Sequence, residues 1–285
     1  MPDLKQFVKR TGAVMDRLVP PPDGITILIY HRVGGGTPSE VDLDAEMFDR
    51  QLEHLAQHHR VLSLDAALAE LVTADGWAPA PATTDAQADR DDQRRGVVIT
   101  FDDGTSDFTD VVVPALERHG VPATLFVATR FVDEQIDFPW GAPPTSWAAL
   151  RDALHSDLGL TIASHTHAHW LLDRLDSDTL AADLDRSIEL IGEHLGIEAR
   201  HFAYPKAVPG SPEAEIAIRQ RFASASLAAS RVNRAGRTDV HRLARTPIQR
   251  SDGFDTFALK ADGGLRLEGE LRSFAARLRY RGAEK

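Results

Sequence analysis

The chain has no cysteine among its 285 residues, and that absence removes disulfides, thiolate metal sites and cysteine nucleophiles together. Any transition metal must therefore rest on His, Asp or Glu. A basic surface is missing too: a formal net charge of -11 does not suit a general nucleic-acid binder, which needs cations to replace the counterions on phosphate. No apolar stretch is long enough to span a bilayer. The opening segment, MPDLKQFVKRTGAVMDRLVPPPDG, scatters charges and lacks the uninterrupted apolar run of a signal peptide, so a cytoplasmic location is the expectation. No internal repeat is evident.

What is present suffices for a packed core, since 42% of the residues are apolar, in one large α/β barrel or two small domains. Short apolar runs alternate with segments of helical period, the pattern of a βα-repeating fold whose parallel strands are covered on both faces. The runs are ITILIY ending at Tyr30, VVITF ending at Phe101, Thr124–Ala128, Leu160–Ala163, His201–Tyr204 and a weaker Ala223–Leu227. Leu180, Leu184, Ile188, Ile191 and Leu195 make one helical stripe with Gly196 as its left-handed stop, and Phe48, Leu52 and Leu55 make another. Residues 74–96 turn to Ala, Pro, Asp and Thr and read as a flexible surface insertion. This divides the chain into an extension over 1–24, a domain over 25–262 and a basic tail over 263–285. The tail reads as a solvated helix, with contact to an anionic membrane as the alternative.

Unusual polar residues follow the strands: Tyr30-His31, Asp102-Asp103-Gly104, Ser164-His165 and Tyr204-Pro205-Lys206. In βα barrels the loops after the strands build the active site, so these groups should converge. His165 and His169 stand four apart and can face one metal ion, whereas His167 between them should point away. Asp102 and Asp103 could cap a helix or make an Asp-Gly turn. Adjacent carboxylates repel, however, and a cation best accounts for placing two at a barrel mouth. One Asp with two His makes a facial site with open positions, and the other Asp could deprotonate a water.

Taken in order, ILIYHRV, VVITFDDG, GVPATLFV, ASHTHAH and FAYP resemble the polysaccharide deacetylase family, or NodB-homology domain, from about Ile25 to about Arg250. The resemblance implies an irregular (β/α) barrel with fewer than eight repeats and a metal-dependent hydrolase that removes N-acetyl or O-acetyl groups from a glycan or glycoconjugate. It implies Asp102 as general base, with Asp103, His165 and His169 binding one divalent ion, for which zinc is the usual hydrolytic choice. Thr166 would order its loop, and Tyr204, Pro205 and Thr166 would face the substrate, with a backbone N–H near Tyr204 holding the oxyanion. Two family features are not in their usual places. The third motif, Phe202 to Lys206, carries no Arg to orient the catalytic Asp, and the late Leu-x-x-His motif is not clear, although His241 to Pro247 resembles the Leu-Pro-Arg ending of members with a YHRV-like opening.

His31 is the candidate general acid in place of that late His, because it follows the first strand and imidazole titrates near neutrality. His241 precedes its strand and should lie at the opposite end. Two other classes compete. The missing Arg and late His suggest a catalytically impaired carbohydrate-binding protein, and a two-His, one-carboxylate set also marks non-haem Fe(II) oxygenases, which favour jelly-roll folds instead.

Overall fold

The computed structural model describes residues 21–72, 94–156 and 158–265. In chain order its strands are β1 (Thr26–Tyr30), β2 (Arg32–Val33), β3 (Asp42–Leu43), β4 (Arg60–Val61), β5 (Gly96–Phe101), β6 (Thr124–Val127), β7 (Thr161–Ser164), β8 (His201–Ala203), β9 (Ser224–Ala228) and β10 (Leu243–Pro247). Its α-helices are α1 (Ala45–His58), α2 (Leu64–Val72), α3 (Val113–His119), α4 (Thr129–Glu134), α5 (Trp147–Leu154), α6 (Ser177–Leu195), α7 (Pro212–Arg221) and α8 (Gly253–Ala261). β1 pairs with both β5 and β10, and β5 through β10 pair in sequence order, all parallel. The seven strands β1 and β5 to β10 thus close a barrel, and the expected irregular (β/α) barrel with fewer than eight repeats is the observed fold. β4 pairs only with the start of β5, and β2 and β3 form a separate short ribbon.

Alternation along the strands sorts the core into two layers. Leu28, Tyr30, Val97, Ile99, Phe101, Leu125, Ile162, Phe202 and Tyr204 pack outward beneath the helices. Ile27, Val98, Phe126, Ala163, Ala203 and Leu243 point inward, where Leu64, Ala67 and Leu71 of α2 plug the N-terminal end. The stripe Phe48, Leu52 and Leu55 of α1 is buried, as expected. On α6, Leu180, Leu184, Leu190 and Ile191 are buried, Ile188 and Leu195 pack partly against them, and Gly196 ends the helix at φ 70°. Gly96, placed in the insertion by sequence, opens β5, where an added Cβ would crowd Leu62 and Ile25 at 3.1 and 3.2 Å. The rest of that insertion except Arg94 and Arg95, the N-terminal extension through residue 20, and the tail from residue 266 lie outside the described residues. Among the described residues, no helix is long and apolar enough to cross a membrane.

Candidate active site

The inward parity that fills the barrel also aims the polar groups at its C-terminal mouth. Val98, Thr100 and Asp102 share one face of β5, Ala163 and His165 share one face of β7, and Leu243 and Arg245 share one face of β10. A period of two therefore brings Asp102, His165 and Arg245 together from strands far apart in sequence. Asp102 is anchored by its N–H to Tyr30 O at 3.1 Å. At Asp103 the chain turns with φ 74°, and Gly104 follows at φ 97°, where a Cβ would lie 2.9 Å from Val127 Cγ2. Only glycine fits at that second position without displacing β6.

Asp103, His165 and His169 offer one ligand atom each, all within 4.8 Å of one another. His169 Nε2 lies 3.3 Å and His165 Nε2 3.7 Å from Asp103 Oδ1. His165 Nδ1 donates to Ala203 O at 2.8 Å, which leaves Nε2 free of its proton and facing the carboxylates. Burial pushes the His165 imidazole down to about 4, although Asp102 and Asp103 work against that. It is neutral near pH 7, as a ligand must be. Burial raises the Asp103 carboxyl, but the hydrogen bond from His169 and the charges of His169, His31 and His165 outweigh it and hold the group well below the ordinary carboxylate range. Two imidazoles and one ionised carboxylate within one ion's reach fit a divalent metal with open coordination positions.

The His-bearing loop is held from behind. Asp183 of α6 accepts from His167 N at 3.0 Å and Ala168 N at 2.8 Å, and Thr166 Oγ1 accepts from His169 N at 2.8 Å. Those bonds hold Thr166 and His169 in left-handed conformations, φ 70° and 59°, that a non-glycine residue adopts only under constraint. Thr166, expected both to order the loop and to face the substrate, is fully buried, and its hydroxyl is taken up by His169 N within the loop. His167 turns away and pairs with Thr129 Oγ1 at 3.0 Å, as its position between the ligands predicts.

Tyr204 requires a correction. Its parity matches Phe202, so its ring points outward, 5.3 Å from Phe202 and beneath α7, and not into the mouth. Burial there pushes its hydroxyl up to about 12. Its own N–H donates to Ser226 O at 3.1 Å, Pro205 has none, and Ala207 and Val208 donate to Tyr204 O and Pro205 O. The amide of Lys206 is thus the one left at this strand end for an incoming oxyanion. Pro205 is buried, where its ring shapes the turn at Lys206, whose φ is 55°.

The guanidinium that the third motif lacks comes from β10. Arg245 is fully buried, donates from Nη1 to Asp102 Oδ1 at 2.6 Å and from Nη2 to Asp102 Oδ2 at 2.8 Å, and rests over the Phe126 ring at 5.0 Å. Burial raises Asp102, yet the charges of Arg245 and His165 and the Arg245 hydrogen bonds keep it ionised below its ordinary value. An Arg at the inward parity of a short barrel strand was the available signal, because such a charge needs a buried carboxylate. His31 Nδ1 is buried without a hydrogen-bond partner, and the charge of His31 acts on both Asp102 and Asp103. His241 sits at the far end, its Nε2 donating to Phe222 O at 2.8 Å.

A closed parallel barrel with a carboxylate pair and two histidines at its mouth has the makings of a metal-assisted active site. Comparison with known proteins is more specific. The family model of polysaccharide deacetylases matches residues 89–217, a span holding Asp102, Asp103, His165 and His169 but neither His31 nor Arg245. The structure of IcaB from Ammonifex degensii is similar with TM-score 0.70 and 25% identity, covering 85% of this chain and 98% of that one. The fold is also that of the Streptococcus pyogenes deacetylase PplD in complex with acetate, at TM-score 0.68, 20% identity, and 84% and 99% coverage. A de-N-acetylase from Aggregatibacter actinomycetemcomitans follows at TM-score 0.62 and 19% identity, with 84% and 100% covered. No curated protein matches the chain in sequence. The family match spans the loops that carry the Asp pair and the His pair, and these solved structures share the barrel.

Proposed function

We propose that this chain hydrolyses N-acetyl groups on a carbohydrate or glycoconjugate, and the observation that carries the proposal is the Asp103, His165 and His169 triad beside an Arg245-held Asp102. The triad would hold one divalent ion, with zinc expected from its His and carboxylate donors. When bound, such an ion supplies a Lewis acid for the acetyl carbonyl and acidifies water. Asp102 is the base: both its oxygens are oriented by Arg245, each retains a lone pair, and its depressed pKa keeps it unprotonated at neutral pH. The Lys206 N–H is the donor available to a developing oxyanion. His31 is the acid that protonates the departing amine, supported by its place after β1 and its unpartnered buried Nδ1.

The reading as an impaired sugar binder rested on the missing Arg and the missing late His; Arg245 answers the first, and the His31 variants below test the second. The oxygenase alternative called for a jelly roll, and the fold is a parallel barrel. Acetate release from N-acetylglucosamine oligosaccharides by metal-loaded protein is the test, with no release from any acetylated glycan as the outcome that ends the proposal. A parallel assay on an acetate ester whose leaving group needs no proton separates amide from ester chemistry. His31→Ala should lose far more on the amide than on the ester, by about 100-fold or more for removal of a general acid. Equal losses on both would reduce His31 to a structural role.

A further inference from the structure

Between α4 and α5 the chain builds something the reaction itself does not require. Phe131 and Phe138 are buried with Ala128 and Ala142 in a small core separate from the two layers of the barrel. Phe138 N donates to Ala142 O at 2.9 Å and Gly141 N to Phe138 O at 2.7 Å, which closes a tight turn with Gly141 at φ 78°. At its tip stands Trp140, 42% exposed, the one aromatic among the exposed large hydrophobics of the described residues. Phe138 stacks on it at 5.0 Å and Phe131 on Phe138 at 4.3 Å, so the indole ends an aromatic column footed on α4. Its ring centroid lies 6.0 Å from that of His169, and Lys206 Nζ sits over it at 5.4 Å.

A small core that serves to hold an exposed indole beside the candidate metal ligands indicates a binding surface, because an indole left in water forgoes burial it would otherwise gain. We infer that Trp140 and Lys206 form the platform for the sugar ring that carries the acetamido group. A pyranose presents axial C–H bonds on its face and hydroxyls around its rim, which suits an exposed indole with an ammonium donor 5.4 Å from its centroid. Lys206 joins the two halves of the site, since its backbone stands at the end of β8 while its side chain reaches the indole. The inference rests on the deacetylase reading and adds to it the groups that select a sugar over other acetyl compounds.

The test uses the pentamer of β-1,4-linked N-acetylglucosamine and p-nitrophenyl acetate with wild type, Trp140→Ala, Trp140→Phe and Lys206→Met, each checked for metal content. Trp140→Ala should raise KM for the oligosaccharide about tenfold, the scale of losing one aromatic contact with its buried area. Trp140→Phe should recover most of that, Lys206→Met should raise the same KM about threefold, and the ester should suffer far less than the sugar in both Trp140 variants. An unchanged oligosaccharide KM in Trp140→Ala, or equal losses on sugar and ester, overturns the platform. Isothermal titration with the same pentamer keeps the two ideas separable. If wild type releases no acetate but binds the pentamer, and Trp140→Ala binds about tenfold more weakly, the platform stands without the deacetylase. Identical isotherms, or no binding by wild type, sink it.

Discussion

His165 follows β7 directly and His201 opens the neighbouring β8, and both side chains are buried with their pKa lowered by that burial. His165 spends one nitrogen on Ala203 O and turns the other toward two carboxylates at 3.7 and 3.9 Å. His201 spends one nitrogen on Ser224 Oγ at 3.0 Å and sets the other 3.3 Å from Asp65 of α2, against the helix that plugs the barrel. Burial, and the direction in which it moves their pKa, do not separate these two histidines. The end of the strand each occupies does, because the C-terminal end opens to substrate and the N-terminal end is closed.

The sharpest break in that comparison is loss of the proposed metal ligands. His165→Ala and Asp103→Asn should empty the metal position and reduce turnover to background, as expected when one of three protein ligands goes. Elemental analysis should find about one ion per wild-type chain and little in either variant. Full occupancy in both would place the metal elsewhere.

Asp102→Asn should keep the ion yet lose about 100- to 10,000-fold in turnover, the range for general-base removal. Near-normal deacetylation with the metal retained would reassign the base. The neighbouring Arg245 sharpens the picture at smaller amplitude. Arg245→Lys keeps the charge but loses the two-pronged geometry, so turnover should fall about 10- to 100-fold with folding largely intact. Arg245→Met should destabilise the fold by about 3–5 kcal/mol, since it strands the buried Asp102 carboxylate. Denaturant unfolding separates these two effects, and a Met variant as stable as wild type would mean that Asp102 is not ionised.

Much of this was legible in the sequence. The apolar runs located β1 and β5 to β9 to within a residue or two, and the adjacent Asp pair and the His pair were found by position relative to those strands. The limits have physical causes. Strands of two residues, such as β4, carry too few positions to show a period, and β2 and β3 are equally short. Arg245 escaped because its partner is 143 residues away and only barrel closure, β1 against β5 and β10, brings it to Asp102. The resemblance implies that Tyr204 faces the substrate, whereas alternation from Phe202 sends its ring outward. Asp183 lies on the buried stripe of α6, where nothing local distinguishes a carboxylate that holds a distant loop from a solvated one.

The smallest effect belongs to the closed end. His201→Leu keeps the bulk of the side chain but leaves the Ser224 hydroxyl without its partner, which should cost about 1–3 kcal/mol of stability. Its pH dependence carries a definite sign. Burial lowers the folded-state pKa of His201, with Asp65 opposing it in part, so the folded state prefers the neutral ring. The stability this contributes is full above the unfolded value of about 6.5 and is lost as pH falls from there toward the folded value. His201→Leu should flatten that slope in denaturant unfolding between about pH 7 and pH 5, while acetate release at pH 7.5 stays within about twofold of wild type, as for a residue far from the mouth. A large loss of activity with stability unchanged would mean that the two ends of the barrel are not divided as their geometry indicates.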